Sequence, residues 1–183
     1  MSVWDELVGQ REAIDVFRAA AGAELSASTS HESSMTHSWL ITGPPGSGRS
    51  NLAFAFAAAL LCSEGGCGLC SSCVQVEART HPDLSTLSTE RVIISIDEVR
   101  ELVQSSQYSP AVSRYRVIII EDADRMAERT SNVLLKALEE PPERTVWILC
   151  APSEADLIPT IRSRVRSVRL RVPSIESVAD LII

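Results

Sequence analysis

The segment that decides the fold runs from Ser38 to Leu61 and reads SWLITGPPGSGRSNLAFAFAAALL. A short apolar run enters a glycine-rich turn, and an alanine-rich helical pattern follows that turn. The turn has the spacing G-x-x-x-x-G-K-[ST], the P-loop, in which backbone amides and a helix start surround a phosphate. The predicted phosphate-binding residues are Gly43, Pro44, Pro45, Gly46, Ser47, Gly48, Arg49 and Ser50.

One position of this loop departs from the pattern, because Arg49 stands where a lysine reaches the outer phosphates. Lysine carries a compact point charge and arginine a wide planar fork, so the exchange is not conservative. Two interpretations stay open from the residues alone. The loop binds ATP or ADP with magnesium, or it is a phosphate-shaped turn without a ligand.

A second candidate site follows the apolar run Val117–Ile120, which predicts a strand buried on both faces. Glu121 and Asp122 come directly after it, where a P-loop protein carries a magnesium-binding acid and then a water-activating acid. The usual order is Asp then Glu, so each carboxylate is displaced by about an ångström, enough to cost roughly 100-fold in rate. We interpret the pair as an altered Walker B motif; the alternative is solvated acids. We also expect Asp124 to cap the next helix.

Four cysteines form the strongest metal signal, with the spacing Cys-x4-Cys-x2-Cys-x2-Cys. Four thiolates at these separations can close a tetrahedral shell, so we predict a structural zinc ion without an open coordination position. The alternatives, scattered buried cysteines or a redox pair, fit four cysteines in twelve residues poorly. The predicted ligands are Cys62, Cys67, Cys70 and Cys73, and we expect the fifth cysteine, Cys150, in the core.

The order of the remaining elements predicts an α/β fold with a parallel sheet and a ligand at the carboxyl ends of the strands. We place a P-loop domain at 1–172, a zinc insert at 62–80, and the start of a truncated further domain at 173–183. We predict helices at 11–21, 49–62, 96–107 and 129–140, a helical turn at 158–163 and a loop at 22–37. The strands are expected at 39–41, 83–87, 92–95, 116–120, 145–150 and 167–172.

Composition limits the function classes. The net charge of −7 argues against a protein that coats nucleic acid through bulk charge. No apolar stretch reaches the roughly 20 residues of a membrane span, and the N-terminus lacks the features of a signal peptide. We therefore expect a cytoplasmic protein that does not act at a membrane.

Arginines cluster near the end of the chain, with five of them between Arg162 and Arg171. Arg169 and Arg171 read as solvated. Arg162 and Arg164 precede the last strand, where a guanidinium could reach the phosphate of a neighbouring molecule as an arginine finger. The alternative for these two residues is also a solvated helix face.

With these motifs in place, the sequence resembles the AAA+ clamp-loader subunits of bacterial DNA polymerase III, and within them the delta-prime branch. The segments that carry the resemblance span nearly the whole chain. They are LVGQ at 7–10, TGPPGSGRS at 42–50, the four cysteines, HPD at 81–83, IDEVR at 96–100, LLKALEEPP at 134–142 and IRSR at 161–164.

The resemblance implies a three-layer AAA+ domain whose lid and collar domains are missing here, within a pentamer that loads the sliding clamp on primed DNA. It implies a stator without ATPase activity of its own, partnered by gamma/tau-like ATPase and delta subunits. Arg164 matches the finger offered in trans, although Val165 replaces the cysteine of that motif. Two alternatives stay open: a catalytically active motor ATPase, or a zinc-stabilised protein-binding module with a relic P-loop.

Overall fold

A computed structural model describes residues 1–25, 36–172, 174–176 and 179 of the chain. Its centre is a parallel sheet of five strands in the order β2-β3-β4-β1-β5. Each central strand is an uninterrupted apolar run, because both of its faces are covered by helices. The strands are β1 (Ser38–Thr42), β2 (Leu84–Leu87), β3 (Arg116–Ile120), β4 (Thr145–Ala151) and β5 (Arg166–Arg169).

Helices cover both faces of the sheet and give the three layers expected from the sequence. One core contains residues of α1 to α3, and a second, on the other face, contains residues of α4 to α6. Phe17, Trp39 and Phe56 form an aromatic cluster in the first core, with ring centroids 4.5 to 5.5 Å apart. The helices are α1 (Arg11–Leu25), α2 (Arg49–Leu61), α3 (Ser71–Glu77), α4 (Ile96–Ser106), α5 (Glu128–Glu139) and α6 (Pro159–Arg162).

The helix α2 organises the functional part of the fold. It begins at the phosphate loop and ends next to Cys62, the first predicted zinc ligand. Alanines dominate it, and residues on almost every side of it are buried, which is the pattern of a helix enclosed by other elements. The P-loop and the cysteine cluster are therefore joined by one rigid element.

Several sequence predictions differ from the structure. Residues 22–25 are helical, and the rest of the predicted loop at 26–35 lies outside the described residues. The predicted strand at 92–95 contains a single bridge, between Ile94 and Met126. Asp124 does not cap α5, because it lies within the 3-10 turn Ala123–Arg125 and Ala127 occupies the cap position. The helix expected from Pro173 falls mostly outside the described residues, although 175, 176 and 179 are helical.

Candidate nucleotide site and zinc centre

The phosphate loop has the backbone of an anion cradle. Gly46 and Gly48 have φ angles of +82° and +88°, in the left-handed region that residues with a Cβ rarely adopt. The loop leads directly into α2, so the first amides of that helix face the same space. Two buried polar atoms of the loop, Ser47 Oγ and Arg49 Nη1, lack a hydrogen-bond partner among the described residues. Such donors suit a phosphate group, so the loop fits the anionic part of a nucleotide.

Gln10 closes the loop from the side of the N-terminus. Its buried Nε2 donates to the carbonyl oxygens of Ser47 (3.2 Å) and Arg171 (2.6 Å), and its Oε1 accepts from the Arg171 amide (3.1 Å). The adjoining cavity, between residues 6–10 and the start of α2, measures about 110 Å³. A larger cavity of about 660 Å³ adjoins it, shares Glu6, Leu7 and Asn51 with it, and extends to Arg79.

The two Walker B candidates lie at the carboxyl end of β3, as the sequence predicts, but both are bound by other groups. The Arg79 guanidinium forms two hydrogen bonds with the Glu121 carboxylate: Nη1 donates to Oε2 at 2.8 Å, and Nη2 donates to Oε1 at 3.1 Å. Asp122 Oδ2 accepts from the Thr89 amide at 3.3 Å, and its Oδ1 lies 4.0 Å from Arg125 Nε. Because arginine already satisfies the carboxylate at the metal position, these residues do not fit a magnesium ion as they stand.

The pKa of the Cys150 thiol depends on burial and on the charged groups of this site. It is buried in β4, as expected from the sequence. Burial raises the pKa of its thiol to about 12, the positive charge of Arg49 opposes that rise, and the carboxylates of Glu121 and Asp122 add to it. The charge of Arg49, which replaces the usual lysine, therefore acts on Cys150 in β4.

The four predicted zinc ligands converge. Their sulfur atoms all lie within 4.8 Å of one another, and Cys62 Sγ is 3.8 Å from Cys67 Sγ and 3.6 Å from Cys70 Sγ. A tetrahedral shell with zinc–sulfur bonds of about 2.3 Å has edges near 3.8 Å, so the spacing fits zinc. Backbone amides of Glu64, Cys70, Cys73 and Gly68 donate to these sulfurs at 3.3 to 3.4 Å, an outer shell typical of thiolate sites.

The pKa of the Cys62 thiol lies below the ordinary value for cysteine. Burial alone would raise its pKa, but hydrogen bonds from the backbone around Cys67, Glu64 and Gly66 lower the pKa to about 6. Burial raises the pKa of Cys73 instead. Metal binding at this cluster must therefore release protons, most of all from Cys73.

The sequence gives no hint of a function for the HPD segment, and the structure supplies one. Asp83 is fully buried, and its carboxylate accepts from the amides of Ala111 (2.5 Å), Val112 (2.9 Å) and Ser113 (2.7 Å). His81 Nδ1 accepts from the Asp83 amide at 3.0 Å, and its Nε2 lies 3.3 Å from Ser113 Oγ. The Asp83 carboxylate binds backbone amides, so the cluster anchors the loop before β3. Because this carboxylate does not accept a hydrogen bond from the His81 imidazole, the cluster is not a catalytic triad.

The candidate finger lies on an exposed turn after α6. The Arg164 guanidinium is held within its own chain, with Nη2 2.5 Å from Glu139 Oε1 and Nη1 donating to Thr160 O at 2.7 Å. Its side chain keeps 33% of its surface exposed. Nearby, Arg166 lies over the ring of Trp39, at 5.0 Å from the centroid, so its guanidinium covers the core.

Comparison with known proteins identifies the family. The family described as "DNA polymerase III, delta subunit" matches residues 20–174. The chain belongs to this family. It is 39% identical to DNA polymerase III subunit delta' of Pseudomonas aeruginosa over 134 residues, covering 70% of this chain and 41% of that protein. It is also 34% identical over 135 residues to DNA polymerase III subunit gamma/tau of Mycobacterium tuberculosis, covering 71% and 23%.

Solved structures support the AAA+ fold of this family member. A gamma subunit-related protein from Thermotoga maritima matches with a TM-score of 0.62 and 24% identity, over 88% of this chain and 47% of that chain. A mutant of Thermotoga maritima RuvB matches with a TM-score of 0.63 and 16% identity, over 98% and 51%. The chain spans less than half the length of the delta' relatives it matches. Within the described residues, no helix is both long and apolar enough to cross a membrane.

Proposed function

We propose that this member of the delta family is a delta-prime-type stator of the clamp loader, which helps place the sliding clamp on primed DNA. It would belong to the DNA polymerase III holoenzyme by association, in the cytoplasm at the nucleoid-associated replisome. Its partners would be gamma/tau-like ATPase and delta subunits, with the clamp and DNA met through the complex. Zinc would be its structural cofactor, held by the four converging cysteines.

The observation that carries the proposal is the state of the chain's own nucleotide site. Glu121, at the metal position, is occupied by Arg79, and Asp122 is engaged by Thr89 and Arg125. Arg49 replaces the lysine. A chain with this site is better suited to assist a neighbouring ATPase than to hydrolyse ATP.

Arg164 is the residue that we expect to assist. It would offer its guanidinium to the nucleotide of an adjacent motor subunit, where charge develops on the transferred phosphate. To do so it must leave Glu139, and both side chains of that pair are a third or more exposed, at 33% and 42%. Exposed ion pairs contribute about 0.2 to 1 kcal/mol, so releasing the arginine costs little compared with the gain from a finger.

The test is Arg164→Ala in the reconstituted complex, with the DNA-stimulated ATPase as the readout. A finger that acts in trans should lose on the order of 10³-fold at that one site. Arg169→Ala is the matched control, because Arg169 is an exposed arginine on the neighbouring strand. If Arg164→Ala and Arg169→Ala hydrolyse ATP at the same rate, Arg164 is not the finger.

A motor-type ATPase is the second candidate, favoured by the similarity to gamma/tau and by the unpartnered Arg49 Nη1. In that case Arg49 does the work of the lysine, and Arg49→Lys should change the hydrolysis rate of the chain very little. The stator predicts no hydrolysis by the unaltered chain, which a single-turnover assay on the purified protein decides.

A further inference from the structure

Arg79 has an unusual backbone. It is one of two non-glycine residues with a positive φ in the described part of the chain, at 59°. Its amide donates to Val76 O at 3.0 Å, and the amide of Thr80 donates to Gln75 O at 2.8 Å. These two bonds form a Schellman motif that ends α3, and Arg79 occupies the position that is usually glycine. A residue with a Cβ is disfavoured there, so its side chain must compensate.

The side chain makes three contacts that justify the strain. Its two terminal nitrogens bind both oxygens of Glu121, at 2.8 and 3.1 Å. Its guanidinium lies over the ring of Phe54 on α2, at 4.4 Å from the centroid. Arg79 thus connects three parts of the molecule. These are the end of the segment that holds the four cysteines (residues 62–80, here called the cysteine module), the helix α2 that follows the phosphate loop, and the end of β3.

The carboxylate that Arg79 holds is the one at the metal position of the nucleotide site. Its side chain is only 10% exposed, so the pair is shielded from water on the Glu121 side. A bidentate guanidinium uses the in-plane oxygen lone pairs that a divalent cation would need. The guanidinium also brings a fixed positive charge to the place where the cation would sit, so a second cation is repelled.

We propose that Arg79 is an internal cation that excludes magnesium from the chain's own nucleotide site. This inference rests on the proposed function and gives its physical cause: the site is blocked from within the chain, beyond the exchange of lysine for Arg49. The cysteine module positions this arginine, because α3 contains the last predicted zinc ligand, Cys73, and ends in the Schellman motif. The residue acts on the site through Glu121 and does not touch substrate.

Arg79→Gly is the sharpest test, because glycine suits the backbone and removes only the side chain. Arg144→Gly is the matched control. Arg144 also has a positive φ, of 63°, and it is exposed at the start of β4, whereas Glu121 lies at the carboxyl end of the parallel strand β3. Both variants lose one positive charge without backbone strain, and only one of them frees Glu121.

The readout is binding of Mn²⁺, a spectroscopic substitute for magnesium, measured by electron paramagnetic resonance with and without ADP. We expect Arg79→Gly to bind Mn²⁺ at least about tenfold more tightly than the unaltered chain or Arg144→Gly. The double variant Arg79→Gly/Glu121→Gln should lose that gain. A gain that is absent, or that persists without the Glu121 carboxylate, would overturn the proposal.

A second variant guards against a folding defect. Arg79→Gln removes the charge but keeps a side chain over Phe54, and it should gain the same Mn²⁺ site. Circular dichroism and zinc content establish that each variant is folded before binding is measured. Failure of the Mn²⁺ prediction refutes the role of Arg79 alone, whereas hydrolysis of ATP by the unaltered chain refutes the proposed stator.

Discussion

The buried carboxylate of Asp83 allows a stability prediction that can be worked out bond by bond. Asp83→Asn keeps one of the two acceptor oxygens and replaces the other by an amide donor. In the better of its two orientations the new side chain keeps the bonds from Val112 and Ser113 and turns its NH2 group toward the Ala111 amide. At least one hydrogen bond is therefore lost, and the remaining two lose the assistance of a charge.

Hydrogen bonds to a charged group contribute about 1.5 to 3 kcal/mol each and neutral ones about 1 kcal/mol. Three charged bonds replaced by two neutral ones predict a loss of about 2.5 to 7 kcal/mol in the free energy of unfolding. Arg116 adds to this loss, because the variant leaves its buried guanidinium without a carboxylate partner. It lies 3.8 Å from Asp83 Oδ1 and keeps its bonds to Tyr108 O and Ser109 O. The melting temperature should fall by at least about 5 °C for a domain of this size.

The assay is thermal and urea unfolding at neutral pH, with hydrogen exchange of residues 109–114 as the local readout. Asp97→Asn is the control, because its side chain is 88% exposed and pairs with Arg100 on the helix surface. A pH series tests the direction in which the stability contributed by Asp83 changes with pH. Burial would raise the pKa of Asp83, but the three amides hold it below 3.8, so its contribution is present above that pH and is lost in stronger acid. If Asp83→Asn melts like Asp97→Asn, the carboxylate is not what anchors the loop.

Two further predictions concern the metal and a titrating histidine. Purified protein should carry one zinc ion. Cys67→Ser should lose this ion and Cys150→Ala should keep it, because Cys67 belongs to the sulfur cluster and Cys150 does not. Equal zinc content in both variants would contradict the prediction. Chelation should increase hydrogen exchange in 62–80 while the sheet remains. Burial lowers the pKa of His81 despite the nearby charge of Asp83. The unfolded chain therefore takes up a proton first, and stability should fall as the pH drops below about 6.5, the ordinary pKa of histidine. His81→Asn, which keeps an acceptor for the Asp83 amide, should flatten that slope, and an unchanged slope would assign it to another group.

The sequence predicted the sheet better than it predicted the state of the site. Continuous apolar runs such as Val117–Ile120 and a glycine-rich turn before an alanine-rich helix are local patterns, and they locate strands and the phosphate loop directly. The short helix α3 was not predicted, because its seven residues are too few to show a period. The bridge at Ile94 was overestimated as a strand, since a β-branched segment alone does not say whether a partner runs beside it.

What the sequence could not show is which charges meet. Arg79 and Glu121 are 42 residues apart, and Asp83 and the amides it binds are about 30 apart. Neither pair follows a local spacing rule. The one signal available was negative: arginine in place of lysine at 49 and acids in exchanged order already indicate an altered site. The ion pair that blocks Glu121 becomes visible only when the end of α3 is brought next to β3.

The two sites of this chain are best understood as a single arrangement around α2. That helix carries the phosphate loop at its start, Phe54 in its second turn, and the first predicted zinc ligand at its end. The following turn and α3 carry the other three cysteines of the cluster, and the Schellman motif after α3 places Arg79 over Phe54 and against Glu121. A zinc ion at the predicted cysteine site would therefore stabilise this arginine beside Glu121. In a subunit whose proposed task is to offer Arg164 to a neighbour, a rigid and closed site of its own has a clear advantage. Such a site would keep the surface around Arg164 independent of nucleotide.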